Sequence, residues 1–279
     1  MIISKHIADI TSIIENQRNS GRKIGFVPTM GALHEGHISL ISKSVQETDF
    51  TVSSIFVNPA QFNNKADLDK YPVTTGKDIE MLEAAGCDLL FLPSADEIYP
   101  ADFQKKQYDV GYLETILEGK YRTGHFQGVC QVVDRLLSII HCDVLFLGQK
   151  DYQQCMVIAR MIELTGYPLK LNIVPTVREN SGLAMSSRNM RLSATEKETA
   201  AEIYQTLEIL KKNLKKGALN ELKQKGFDYL TNKGFEVDYV ELTDDRLREL
   251  NDWDGELNVV ALIAASLNNI RLIDNMTIH

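Results

Sequence analysis

The densest concentration of reactive side chains in this 279-residue chain is the pair His34 and His37, set in Pro28-Thr29-Met30-Gly31-Ala32-Leu33-His34-Glu35-Gly36-His37. An apolar run from Ile24 to Val27 reads as a buried strand that stops at Pro28. Gly31 and Gly36 break the loop that follows, and a helical pattern starts at Gly36. At such a strand–loop–helix junction the first helical N–H groups lack backbone partners and carry the positive end of the helix dipole, which makes the helix start a seat for phosphate. Two imidazoles three residues apart can face one anion there, and in their protonated form they would stabilise charge building on a phosphoryl group. A metal site is the other reading of two histidines. The only further ligand type nearby is Glu35, which a helical turn points elsewhere, so no metal is expected on them.

Three more groups have matching chemistry. Gly148-Gln149-Lys150-Asp151 follows an apolar run and opens a helical pattern, which puts the Lys150 ammonium where triphosphate oxygens can reach it. Met185-Ser186-Ser187-Arg188 offers two hydroxyls, backbone N–H groups and a guanidinium, a set suited to closing over phosphates; a plain interdomain linker is the bland alternative. Asn58, Gln61 and Gln154 supply neutral amides fit to hold the hydroxyl and carboxylate groups of a small polar substrate without adding charge. A glycine-bearing stretch, Arg122-Thr123-Gly124-His125-Phe126, adds two potential cations.

The elements that must position these groups alternate. A helix over residues 4–19, capped by Ser4, precedes the first strand. Further strands are read at Phe50–Val57, Asp88–Leu92, Asp143–Leu147 and Leu169–Val174, and helices at about 75–85, Gly128–Ile140 and Asp151–Thr165. Strand–helix alternation implies a Rossmann-like, mostly parallel sheet with helices on both faces, and ligands of such sheets collect beyond the carboxyl ends of the strands. The polar clusters after residues 29, 57 and 147 all fall at such ends, which argues for one composite site. Past Pro175 the texture changes: residues 177–190 are polar, small and without period, a mobile loop between two lobes. Ser193-Ala194-Thr195-Glu196 has the form of a capping box before a long helix reaching about Lys216, and a second helix occupies roughly 218–232. Strands at Val237–Leu242, Leu257–Ala265 and Asn269–Ile273 complete a smaller C-terminal α+β domain. The expected division is therefore 1–176 and 177–279.

Composition excludes several function classes. The formal charge of −8 disfavours a nucleic-acid partner, whose phosphates need a basic surface. No apolar stretch has the length of a membrane span, and the opening residues lack a secretory layout, so a cytoplasmic location is expected. The four cysteines, Cys87, Cys130, Cys142 and Cys155, stand in apolar segments without a Cys-x-x-Cys spacing and read as buried reduced thiols.

His34-Glu35-Gly36-His37 resembles the His-x-Gly-His signature of the nucleotidylyltransferase superfamily, which includes the class I aminoacyl-tRNA synthetases. The full ten residues from Pro28 to His37, with Gly148–Asp151 and Met185–Asn189, resemble the pantoate–beta-alanine ligase family; beyond about residue 195 only the general layout matches. That resemblance implies ATP contacts from Met30, Gly31, Ala32, Leu33, His34, Glu35, Gly36 and His37, from Gly148, Gln149, Lys150 and Asp151, and from Val177, Met185, Ser186, Ser187 and Arg188. It implies pantoate contacts from Gln61 and Gln154, in the company of Asn58, with Gln61 also near beta-alanine. His37 is marked as the catalytic histidine, with His34, Lys150 and Arg188 sharing the phosphoryl charge, while Tyr71 and Arg122 fall at site-lining positions. Two departures stand out: the family commonly reads Gly-Glu-Lys-Asp at 148–151 and Arg-Pro-Gly-His-Phe at 122–126. The implied reaction passes through a pantoyl adenylate, with Mg²⁺ accompanying ATP and held mainly by its phosphates, in a homodimer.

Rival readings differ in what they need. Transfer of AMP to a phosphate ester would want a second cationic cluster in place of the amides Asn58, Gln61 and Gln154, and a tRNA synthetase would want a basic RNA-binding domain. A non-catalytic adenylate sensor would not consume ATP.

Overall fold

The computed structural model describes residues 1–62 and 68–279. They divide into two compact units, one of Met1–Gly148 and Gln153–Pro175, the other of Gln149–Tyr152 and Thr176–His279. The short Gln149–Tyr152 segment thus belongs with the later residues, a departure from a single cut at 176.

The first unit is built on six parallel strands: β1 (Ile2–Ser4), β2 (Ile24–Thr29), β3 (Phe50–Ile55), β4 (Leu89–Phe91), β5 (Val144–Gly148) and β6 (Lys170–Val174). They lie in the order β1-β4-β3-β2-β5-β6. The longer helices are α1 (Ile7–Asn19), α2 (Glu35–Glu47), α3 (Thr75–Ala84), α4 (His125–Ile140) and α5 (Tyr152–Thr165). From β2 the chain steps outward through β3 to β4, then returns to the other side of β2 for β5 and β6. Right-handed crossovers in opposite directions put helices on opposite faces, and the reversal between β2 and β5 opens a crevice beyond Thr29 and Gly148. On one face Leu40, Ile41 and Leu82 pack with Val27, Ile55, Leu90, Val144 and Phe146. Gly25 allows α2 to lie close, since a Cβ there would run into the Ser44 and Thr48 hydroxyls.

Three local readings are corrected. Residues 2–4 form an edge strand, so Ser4 is no helix cap; its hydroxyl donates to His6 O, and the helix starts at Ile7. β2 continues through Pro28 to Thr29. Thr29 O accepts from Phe56 N, so residues 27 and 29 address β3 and the ring nitrogen of Pro28 faces the β5 side, beyond the last pairing of Phe26 with Leu145. The proline therefore costs no ladder bond. The helix expected from Gly128 begins at His125.

In the second unit, α6 (Glu202–Asn213) and α7 (Asn220–Asn232) bury Ile203, Leu207, Leu210 and Leu230 in one core with Val240, Ala261, Ile263 and Leu272 of an antiparallel sheet. Gly217–Ala218 (β7) pairs with Asp252–Trp253 (β9) apart from that sheet, whose strands are β8 (Glu236–Thr243), β10 (Val260–Leu267) and β11 (Ile270–Thr277) in the order β11-β10-β8. The capping box forms, with Ser193 Oγ accepting from Glu196 N and Glu196 Oε2 accepting from Ser193 N. The long helix breaks at Ala201 into Ala194–Ala200 and α6, and it ends at Asn213 instead of Lys216. The last strand runs past Ile273 to Thr277. Among the described residues, no helix is long and apolar enough to cross a membrane.

Candidate active site

The turn between β2 and α2 is shaped by its own hydrogen bonds. Gly31 (φ +80) and Ala32 (φ +51) are both left-handed, a conformation that costs a non-glycine residue energy unless neighbours hold it. Asp78, on the first turn of α3 and 1% exposed, does the holding: its carboxylate accepts from Ala32 N at 3.0 Å and Leu33 N at 2.9 Å, and from the Thr74 hydroxyl at 2.9 Å. Gly31 N donates to Thr29 Oγ1. The acidic residue escaped the sequence reading because an aspartate in a helix's first turn is ordinary, and only tertiary placement reveals its second duty.

His34 is the cap of α2. Its Nδ1 accepts from Gly36 N at 3.1 Å, while His37 Nδ1 accepts from His34 N at 3.4 Å, and the two rings lie 4.1 Å apart between centroids. Both Nδ1 atoms being acceptors, each neutral ring carries its proton on Nε2. A proton on either Nδ1 would oppose one N–H with another. With Nδ1 turned to the backbone, each ring leaves Nε2 as the nitrogen that can face a ligand. The backbone expectation changes too: the N–H groups of Gly31, Ala32, Leu33, His34, Gly36 and His37 are committed within the protein. Any contact of buried Ala32 and Leu33 with a nucleotide is then through carbonyl or apolar surface, and Glu35 is exposed.

Beyond β3 the amides divide their labour. Asn58 is 1% exposed and its side chain is fully engaged: Oδ1 accepts from Ala60 N and the Tyr99 hydroxyl, and Nδ2 donates to Gln61 Oε1 and Gly128 O. This corrects the expectation of a substrate contact, because no hydrogen-bonding capacity is left; Asn58 acts on Gln61. Gln61 Nε2 lies 3.0 Å from Met30 Sδ, which joins the amide to the histidine turn, and buried His125 meets Gln61 O at 2.7 Å through Nδ1. His125 thus orients the backbone of Gln61. Arg122 lies 3.8 Å from Glu118, the Tyr71 ring packs edge-on to Phe62, and Gln154 is half-buried on α5. Gly148 ends β5.

The second unit carries the other phosphate-handling candidates. Gln149–Asp151 form a single 3₁₀ turn ahead of α5, with Lys150 Nζ 3.6 Å from Asp151 Oδ1. Residues 177–190 are more ordered than the loop read from sequence: Arg178 bridges Ala184, Met185 N donates to Val177 O, and Ser187–Arg191 form a 3₁₀ turn capped by the Ser186 hydroxyl, which accepts from Arg188 N. The bridge is closed by backbone bonds, Met185 N to Val177 O and Glu179 N to Leu183 O, which side-chain periodicity does not announce.

Comparison with known proteins extends the picture to the whole chain. Residues 2–277 match the pantoate–beta-alanine ligase family. The chain is 42% identical to the pantothenate synthetase of Cytophaga hutchinsonii over 282 residues, covering 100% of this chain and 99% of the relative. It is 40% identical to that of Bacteroides thetaiotaomicron over 272 residues, covering 97% and 96%. The crystal structure of pantothenate synthetase from Thermus thermophilus superposes with a TM-score of 0.92 at 35% identity over 100% of both chains. That of the pantoate–beta-alanine ligase from Francisella tularensis, complexed with beta-gamma ATP and beta-alanine, gives 0.82 at 39% identity, covering 100% and 98%.

Proposed function

The chain belongs to the pantoate–beta-alanine ligase family and joins pantoate to beta-alanine at the expense of ATP; on that premise we propose a two-step course in which the paired histidines serve as neutral donors. In the first step a carboxylate oxygen of pantoate attacks the α-phosphorus of ATP. The bond from that phosphorus to the bridging oxygen breaks, diphosphate leaves and a pantoyl adenylate remains. In the second the amine of beta-alanine attacks the acyl carbon, the bond to the phosphate oxygen breaks, AMP leaves and the nitrogen loses a proton. A free carboxylate is a poor acylating agent, and the mixed anhydride divides one high barrier into two lower ones.

The observation that carries this reading is the pair of Nδ1 acceptors at the start of α2, which turns both Nε2–H groups into fixed donors. Donors fixed beforehand stabilise developing oxyanion charge without reorganising during the reaction. His37 would meet the phosphoryl oxygens with His34 beside it, and Lys150 and Arg188 would add positive charge. Met30, Gly31, Ala32, Leu33, Glu35, Gly36, Gly148, Gln149, Asp151, Val177, Met185, Ser186 and Ser187 would complete the nucleotide's surroundings. Gln61 and Gln154 would hold pantoate, Gln61 also beta-alanine. ATP would come as its magnesium complex, the cation carried on phosphate oxygens. A cytoplasmic homodimer is part of the same proposal, and a monomer mass in solution at micromolar concentration would overturn its oligomeric half.

The test is exchange of labelled diphosphate into ATP with pantoate present and beta-alanine absent. Exchange is expected. Its absence, under conditions where all three substrates yield AMP, would rule out the adenylate.

A further inference from the structure

Asp274 and Asn275 stand near the end of β11, 5% and 3% exposed, two polar side chains buried side by side in a strand. Successive strand residues point to opposite faces. Asp274 shares the face of Ile270 and Leu272, which belong to the core of the second unit, and Asn275 takes the other. A buried polar group is tolerated only when its bonding is met, and each of these meets it on a segment already assigned to ATP.

Asn275 Nδ2 donates to Gln149 O at 2.9 Å and to Lys150 O at 2.8 Å, while Gln149 Nε2 reaches Asn275 Oδ1 at 3.4 Å. Those two carbonyls belong to the peptide planes on either side of the Lys150 Cα. Each plane is rigid, so fixing both fixes the direction in which the lysine side chain leaves the backbone. Only a side-chain nitrogen with at least two hydrogens can do this, and a carboxylate would set oxygen against oxygen. On the opposite face Asp274 takes Arg178 in a two-pronged pair, Nη1 to Oδ2 at 2.5 Å and Nη2 to Oδ1 at 3.0 Å. Arg178 Nη2 also donates to Asn275 O, Nη1 to Gly182 O, and its guanidinium lies 4.5 Å from the Tyr204 ring centre. The arginine thus anchors the bridged turn from which Met185–Arg188 continues.

We propose that Asn275 and Asp274 are positioning residues for nucleotide handling, Asn275 aiming the Lys150 ammonium through the two flanking carbonyls and Asp274 seating the 177–188 segment through Arg178. This rests on the reading of Lys150 as an ATP contact. The sequence hides it, since an Asp-Asn pair reads as the end of a strand and the bond from Asn275 to Lys150 O spans 125 positions.

The experiment is a double-mutant cycle read as ATP affinity by calorimetry and as the kinetics of ligation. Asn275→Ala and the isosteric Asn275→Asp are each expected to weaken ATP binding by about 10-fold or more, the scale on which misplacing a reacting group acts, with the KM for beta-alanine unchanged. In a Lys150→Ala background Asn275→Ala should add little, less than about threefold. An equal loss in both backgrounds would make Asn275 mere scaffolding and overturn the proposal, as would unchanged affinity in both Asn275 variants of a protein that Lys150→Ala impairs. Unchanged affinity and turnover in Lys150→Ala would instead overturn the ATP reading of Lys150, and this proposal with it. Asn275→Asp, which changes little volume, keeps the test open if Asn275→Ala unfolds.

Discussion

His37 allows folding and chemistry to be separated within one side chain. Its Nδ1 accepts from His34 N, a duty that an asparagine Oδ1 can assume, whereas Nε2–H has no counterpart in asparagine. His37→Asn is therefore expected to keep its melting temperature within a few degrees while turnover falls by on the order of 100-fold, the usual cost of one lost donor to transition-state charge. Wild-type turnover in that variant would remove His37 from the reaction. The two histidines were legible from residue type and spacing; which ring nitrogen turns to the backbone was not, because it depends on which N–H groups meet Nδ1. Asn58 shows the same limit from the other side. Its amide suits a substrate, and only burial with four bonds met reveals that it serves Gln61.

At the scale of elements, α4 and the turn at Pro59–Gln61 meet at a glycine. A Cβ on Gly128 would overlap Ala60 O and lie 2.9 Å from the Gln61 Cα, with backbone that cannot swing aside. Gly128→Ala is expected to push the turn away from the helix, costing about 1–3 kcal/mol of stability as an overpacked site does. Because Asn58 Nδ2 also binds Gly128 O, the KM for pantoate should rise more than that for ATP. A variant with unchanged stability and kinetics would mean that the turn does not depend on this contact. The alternating strands and helices of the first unit were readable because their apolar periods differ. What periodicity missed has a common cause: β1 depends on β4 for its pairing, the Arg178–Ala184 bridge stands beside an ion pair to Asp274, and Asp274-Asn275 keeps strand form because distant partners bond it. In each case tertiary contact overrides local preference. The match beyond residue 195, faint in the motifs, extends through residue 277 in the family comparison.

At the scale of the whole molecule the two units carry separate natural probes. All four cysteines lie in the first unit and are buried, while the single tryptophan, Trp253, lies in the second with its Nε1 donating to Leu257 O. Burial pushes the thiols of Cys87, Cys130 and Cys142 up to about 12, and the thiolate is the reactive form. A thiol reagent at neutral pH is expected to label none of the four in the native protein and all four in denaturant; rapid native labelling would show that the first unit opens readily. The fluorescence of Trp253 reports the second unit on its own. The long sequence span between Asn275 and Lys150 also gives manufacture of the protein an order. At roughly 5–20 residues per second a ribosome delivers the histidine turn and Lys150 on the order of ten seconds before it delivers Asn275, so a nascent chain carries its reactive groups well before it holds the clamp that aims one of them.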